Sequence, residues 1–253
     1  MLLMAADYVG AEITRFLCEA GEPITILVID SQNRGGRNDE IVRLAVQSNK
    51  DVIIYSELEI NMLAIQEEIA AQNVERGILA WWPYIISEEV IALISRGFIN
   101  THPSYLPYCR GKHPYFWSLV EEQPFGVTIH QVDTAIDAGP IISQRRIPID
   151  WEDTGESLYL RSRDEMVALF AESYPLIAAG EIEPVLQGEG GTLHYGSEIE
   201  ARSRIVLDQQ YLGRELLNIL RGRMFGGKGE AYFYDDGKKY AVSIKIEQID
   251  EQQ

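Results

Sequence analysis

Short apolar, β-branched runs alternate along the chain with segments whose apolar residues recur every three or four positions. LLMAA at 2–6, ITILVID at 24–30, DVIIYS at 51–56, GILAWW at 77–82 and GFINTH at 97–102 read as strands. Between them, Ile13, Phe16, Leu17 and Ala20 recur at helical spacing and stop at Gly21. A second helix opens at the polar Asn38 and carries Ile41, Leu44 and Ala45, and a third places Met62, Ile65 and Ile69 on one face. Ser87 caps a fourth with Val90, Ile91 and Ile94. This repeated strand–helix alternation predicts an α/β fold, Rossmann-like, with a largely parallel twisted sheet flanked by helices.

Beyond residue 102 the pattern changes. Pro114 suits a first helical position, FGVTIHQV at 125–132 and PIISQRRIPI at 140–149 read as strands, and DTAIDAG at 133–139 joins them. A long helix then starts near Asp153, with Glu156 completing a capping box, and runs through Met166, Leu169, Phe170 and Ile177 to Gly180. The expected catalytic α/β domain therefore spans 1–187. Residues 188–253 form a tail with a helix around Leu212, Leu216 and Leu220 and a hairpin turning at Asp236-Gly237. An isolated hairpin is marginal in water, so this one is expected to pack on the core or pair with a second copy of the chain.

Composition narrows the function. The chain has 253 residues, with 22 basic against 39 acidic side chains, a formal charge of −17. That balance opposes attraction to a phosphate backbone and argues against nucleic acid as the main partner. Two isolated cysteines, Cys18 and Cys109, read as reduced thiols in a cytoplasmic protein, with no metal implied. No apolar run is long enough for a membrane span, so no membrane partner is expected. Gly10 is read as a tight-turn glycine.

Candidate chemistry gathers at the end of GFINTH. The following stretch, NTHPSYLPYCRGKHP at 100–114, holds three prolines and two histidines, which excludes a helix interior or a central strand. Asn100 and His102 are two apart in an extended segment and project to one side. Asp137, in the loop after the next strand, brings a carboxylate within reach. An amide, an imidazole and a carboxylate around one cleft suit acyl-type transfer to an amine without a separate nucleophile. The same spacing is equally compatible with a strand-end turn at Asn100 and a tight turn at Asp137-Ala138-Gly139.

Three segments together carry a resemblance: NTHPSYLPYCRG at 100–111, PFGVTIH at 124–130 and IDAGPII at 136–142. They closely resemble the formyltransferases that use 10-formyltetrahydrofolate. The resemblance is strong over about residues 77–149 and weaker on both sides. It implies that Asn100, His102 and Asp137 are the catalytic residues. It also implies that the pterin of 10-formyltetrahydrofolate, the cosubstrate, lies against Tyr84, Ile85 and Ile86 and the loop Asp133, Thr134 and Ala135, with Trp82 nearby. Core packing is the competing role for the Trp81 and Trp82 side chains.

Within that family the acceptor differs. AADYVG near the N-terminus lacks the glycine-rich phosphate loop of the glycinamide ribonucleotide enzymes, and the acidic tail is unlike that of methionyl-tRNA formyltransferases. RGKHPYFW at 110–117 and the short tail ending in a hairpin resemble the sugar N-formyltransferases. That resemblance implies a nucleotide-linked, dTDP-type amino-dideoxy sugar as acceptor, with Arg110, Lys112, His113 and Tyr115 as its contacts, a place in surface-polysaccharide synthesis, and a homodimer through the hairpin. Arg110 and Lys112 are also compatible with a solvated turn. Alternatives are methionyl-tRNA or water as acceptor, the latter giving a deformylase, and a non-enzymatic folate- or nucleotide-binding module. MFGGKGEAYF at 224–233 departs from the Pro-rich link expected before the hairpin.

Overall fold

The structure, a computed structural model, describes residues 1–60 and 63–249. In chain order its elements are β1 (Leu2–Ala5), α1 (Asp7–Glu19), β2 (Ile26–Ile29), α2 (Asn38–Ser48), β3 (Ile53–Ser56), α3 (Leu63–Ala71), β4 (Gly77–Ala80), α4 (Glu88–Leu93), β5 (Phe98–His102), β6 (Arg110–Gly111), α5 (Pro114–Val120), β7 (Phe125–Gln131) and β8 (Ile141–Ile147). There follow α6 (Gly155–Ala179), β9 (Leu193–His194), α7 (Glu198–Ser203), α8 (Gly213–Gly222), β10 (Met224–Phe225), β11 (Lys228–Gly229), β12 (Ala231–Asp235) and β13 (Lys238–Val242). Contacts group the chain into two units: residues 1–102, 128–144 and 163–187 in one, and 103–127, 145–162 and 188 onward in the other. The second unit thus takes in the tail from Gly188 together with two earlier segments.

The main sheet has seven strands in the order β3-β2-β1-β4-β5-β7-β8. Neighbours from β3 to β5 are parallel, and β7 runs antiparallel to β5. β1 and β4 are buried at every position, which explains their unbroken apolar runs: a central parallel strand is covered on both faces. Leu2, Met4, Ile26, Val28, Leu79 and Phe98 share one cluster with Ile65 and Ile69 of α3 and with Val90 and Ile94 beside α4. Met62, expected beside Ile65 and Ile69, lies outside the described residues. Alternate residues Leu3 and Ala5 are fully buried on the other face. α1 also carries Phe16, edge-on to Phe170 and Tyr174 of α6.

Two glycines are fixed by close approach. Gly77 pairs with Phe98, and a Cβ there would sit 2.1 Å from the phenyl ring. Gly10, expected in a turn, lies inside α1, where a Cβ would come within 3.0 Å of the Ala5 backbone and 3.2 Å of the Ala80 carbonyl. Its small size lets the helix seat against the sheet.

In the second unit, Pro114 opens α5, as expected. α6 departs from its expected start: the reciprocal cap joins Thr154 and Ser157, not Asp153 and Glu156. The Ser157 N–H donates to Thr154 Oγ1 at 3.1 Å and the Thr154 N–H to Ser157 Oγ at 3.0 Å. Asp153 is instead committed to Arg161 and the Asp150 N–H, so its carboxylate cannot serve as the cap. Trp117 and Phe116 are core residues, clustered with Cys109 and Ile199.

The tail hairpin forms as read, β12 against β13, with Asp236 and Gly237 both at positive φ, 46° and 74°. That geometry suits the twist of the flanking strands. Ala231, Ile219 and Leu220 form its buried contact with α8. The segment without prolines before it makes a second small hairpin, β10 with β11, turning at Gly226 and Gly227, again both at positive φ. Among the described residues no helix is long and apolar enough to cross a membrane.

Candidate active site

Asn100 and His102 alternate with Thr101 on β5, so their side chains leave the sheet on one face while Thr101 points away. Thr101 Oγ1 donates to the Leu79 carbonyl and accepts the Trp81 N–H at 2.8 Å, tying β5 to the end of β4. The antiparallel register sets His130 opposite Asn100. Residues directly opposite on one face lie close enough for their side chains to meet. Here Asn100 Nδ2 and His130 Nε2 are 3.2 Å apart.

His130 Nδ1 lies 2.7 Å from its acceptor, the Gln131 carbonyl, so the neutral ring carries its proton on Nδ1 and offers a lone pair at Nε2. That tautomer turns the Asn100 amide so that Nδ2 faces His130. The same Nδ2 donates to Asp137 Oδ1 at 3.2 Å. Asp137 Oδ2 lies 3.5 Å from His102 Nδ1, and Oδ1 lies 3.6 Å from His130 Nε2. One carboxylate therefore spans two imidazoles and an amide, all buried.

The way Asp137 reaches this cluster differs from a neighbouring strand end. Because β7 is antiparallel, its last residue, Gln131, lies beside Ile99, so the loop must fold back over the face carrying Asn100 and His130. Three features allow it. Asp137 adopts a left-handed backbone, φ 49°; Gly139 passes so close to the Gln131 carbonyl that a Cβ would lie 1.9 Å from it; and Gln187 Nε2 donates to both the Asp137 and the Gly139 carbonyl at 2.8 Å. Gln187 was not among the candidate residues, whereas His130 is readable from sequence either as a group beside Asp137 or as a satisfied core histidine. His130 was detectable from its strand register opposite Asn100, whereas Gln187 had no local signal.

Asn100 Oδ1 is buried without a hydrogen-bond partner among the described residues. Such an atom is uncommon in native interiors and marks an acceptor reserved for something outside the fold. Both amide hydrogens face protein acceptors, so donation from Asn100 to a developing oxyanion requires one of them to change partner.

The residues expected near the pterin fall in the same unit as the cluster. Trp82 and Ile86 are buried in the large core cluster, with Tyr84 and Val132 packed against it. The Trp82 side chain is thus mainly core. Tyr84 turns its hydroxyl to Asp30 Oδ1 at 2.7 Å; burial and that carboxylate push its pKa up to about 12. Ile85, between these anchored residues, is exposed. In the 133–135 loop the Ala135 N–H donates to Asp133 Oδ1, closing a tight turn around Thr134.

Arg110, Lys112, His113 and Tyr115 all belong to the second unit. β6 pairs with β9, and the Lys112 N–H donates to the His194 carbonyl. His113, at φ 59°, sets Nδ1 3.1 Å from the Tyr115 hydroxyl. Tyr115 meets Phe225 and Tyr159 edge-on, at 5.4 and 5.8 Å. Burial, with Arg223 and Lys112 nearby, lowers the His113 pKa below 6.5. Tyr159, Phe225 and Arg223, each far from the motif loop in sequence, gather around Tyr115 and His113. His194 stacks on Trp117 at 3.8 Å and contacts Glu121 and Glu198 at 2.9 and 3.1 Å, a structural role within the same unit. Burial pushes the Cys109 thiol up to about 12, so it is inert.

A largely parallel sheet with an amide and two imidazoles on one face, and a loop carboxylate folded over them, defines a site equipped to move a proton. Residues 22–173 match the model of the formyl transferase family and residues 198–248 that of the N-formyltransferase dimerization C-terminal domain, so the chain belongs to the formyl transferase family. The dTDP-4-amino-4,6-dideoxyglucose formyltransferase of Mycobacterium bovis is 33% identical over 150 residues, 59% of this chain and 64% of the relative, which is less than two thirds of that protein's length. The formyltransferase PseJ from Anoxybacillus kamchatkensis, solved in complex with UDP-4,6-dideoxy-4-formamido-L-AltNAc and tetrahydrofolate, is 28% identical with a TM-score of 0.54, covering 78% of this chain and 97% of its own. A 4-N formyltransferase from Francisella tularensis shares the fold at 20% identity and a TM-score of 0.79, covering 98% of each chain.

Proposed function

We propose that this protein transfers the formyl group of 10-formyltetrahydrofolate to the primary amine of a nucleotide-linked amino-dideoxy sugar, a dTDP sugar being the first choice. The observation that carries the reading is the Asp137 carboxylate placed between His102 and Asn100 on one face of the sheet. The relatives support the acceptor class: one acts by name on a dTDP-amino sugar, and another was solved with a UDP-formamido sugar and tetrahydrofolate.

The chemistry follows from the side chains. The neutral amine attacks the formyl carbon, a C–N bond forms, and the carbonyl electrons move to oxygen. Protonated His102 and an Asn100 amide hydrogen stabilise that oxygen, each well-placed donor contributing about 2.7–4 kcal/mol. Asn100 Oδ1 accepts a hydrogen of the attacking amine. Asp137 holds His102 in its protonated form and takes part in carrying the proton from the amine to the folate nitrogen as the old C–N bond breaks. The folate ring is held along Tyr84, Ile85 and Ile86 and the Asp133–Ala135 turn. Arg110, Lys112, His113 and Tyr115, with Tyr159, Phe225 and Arg223, hold the nucleotide, cations toward phosphate and rings toward the base. The active form is a homodimer through the C-terminal segment.

The test is a panel of dTDP-, UDP- and GDP-linked amino sugars with 10-formyltetrahydrofolate, read by mass spectrometry. A formyl adduct on a nucleotide sugar is expected, and its loss in His102→Ala. Formate release without any adduct would instead mean water is the acceptor.

A further inference from the structure

A second polar cleft of about 310 Å³ lies wholly within the second unit, between the end of α5, the start of β7, the end of β8 and α8. None of the residues proposed above for formyl transfer lines it. Its charge is unusual for this chain: Arg146, Arg214 and Arg221 face it with one carboxylate, Glu122, an excess of two positive charges in a protein of formal charge −17.

The three guanidinium groups are incompletely used. Arg146 makes no ion pair and no side-chain hydrogen bond among the described residues. Arg214 reaches Glu122 only at 3.9 Å, between two exposed side chains, a pairing worth little in water. Arg221 is buried, and its role is partly structural: Nη1 donates to the carbonyls of Asp150, Trp151 and Asp153, and Nε to Asn218 Oδ1. Its Nη2 has no acceptor among the described residues. Those carbonyl bonds hold the guanidinium plane fixed, so less freedom is lost when an anion engages it. Apolar Leu119, Phe125 and Ile147 line the remainder. Converging arginines in a partly apolar hollow at the small end of the ligand-site size range are the chemistry that recognises phosphate.

We propose that this cleft binds a small phosphate- or diphosphate-bearing molecule, clamped between Arg146 of β8 and Arg214 and Arg221 of α8, at a site separate from formyl transfer. It does not depend on the identity of the formyl acceptor.

The probe is inorganic pyrophosphate, titrated into the full chain by calorimetry at constant ionic strength, with sodium chloride as control because exposed charges are screened. Saturable binding is expected in the wild type. Arg146→Ala and Arg214→Ala, both at exposed positions and expected to fold normally by circular dichroism, should each weaken it about tenfold or more, equivalent to about 1.4 kcal/mol. Tested in the Lys112→Ala background, where pyrophosphate held at the proposed nucleotide site is weakened, the two together should abolish the binding that remains. The proposal is overturned if the wild type shows no saturable binding, if the double variant in that background binds like Lys112→Ala alone, or if Lys112→Ala alone removes the binding.

Discussion

His102 Nδ1 lies 3.5 Å from Asp137 Oδ2, although one residue ends β5 and the other sits in the loop between β7 and β8, 35 positions on in sequence. A carboxylate at that distance favours the protonated ring and holds it in one orientation. Asp137→Asn keeps the shape and removes the charge. Single-turnover formyl transfer should fall by about 10²–10⁴-fold, with folding unchanged by circular dichroism. Turnover near the wild-type value would remove Asp137 from the proton path.

His130 acts through Asn100. Its Nε2, 3.2 Å from Asn100 Nδ2, fixes which way the amide is turned, and on the proposed mechanism that decides which end meets the formyl carbon. His130→Leu removes that acceptor, and a misplaced donor costs about 10²-fold. The loss should appear in kcat with KM nearly unchanged, and His130→Gln, which restores an acceptor, should recover part of it. Equal losses in both variants would indicate a packing role only.

Much of this was legible in the sequence, for identifiable reasons. β1, β2, β4 and β5 are apolar runs because the sheet buries them, and the Asn100–His102 pair shows its common face through simple alternation. Asp137 was legible as a residue but not as a geometry. Its approach depends on an antiparallel β7, a left-handed backbone and a glutamine fifty positions away, and none of these follows from local pattern. The α6 cap was misplaced by one residue because Asp153-x-x-Glu156 and Thr154-x-x-Ser157 overlap, and only Arg161 decides which is used. The Gly226-Gly227 turn, in contrast, follows the hairpin rule directly and stands where the resemblance implies a Pro-rich link.

That cap gives a stability prediction independent of catalysis. Thr154→Ala removes the acceptor for the Ser157 N–H and should cost about 0.5–2 kcal/mol in urea denaturation. Glu156→Ala should change stability by less than half of that. The reverse order would return the cap to Asp153 and Glu156.

The C-terminal hairpin leaves Tyr234 and Tyr240 exposed, with Tyr240 stacked on Phe233 at 5.2 Å. Apolar rings on a two-stranded ribbon are more stable when a second copy covers them. Light scattering after size exclusion should show a dimer, and a Tyr234→Glu, Tyr240→Glu variant should shift it toward monomer. An unshifted dimer would place the interface elsewhere in residues 198–248.

His113 links acidity to stability. Burial, then Arg223 and Lys112, hold its pKa below the unfolded value of 6.5. As pH drops below 6.5 the unfolded chain takes up this proton before the folded one does, so the unfolded state binds more protons across that interval. Stability from keeping the ring neutral is therefore present above pH 6.5 and is lost as pH falls through the lower, folded pKa. His113→Gln abolishes this titration while retaining a polar group near Tyr115. Denaturation midpoints measured from pH 7.5 to 5 should decline less steeply in the variant than in the wild type. Parallel curves would mean that the ring titrates alike in both states, and that the cations around it are balanced by Glu230, which already pairs with Arg223 at 2.7 Å.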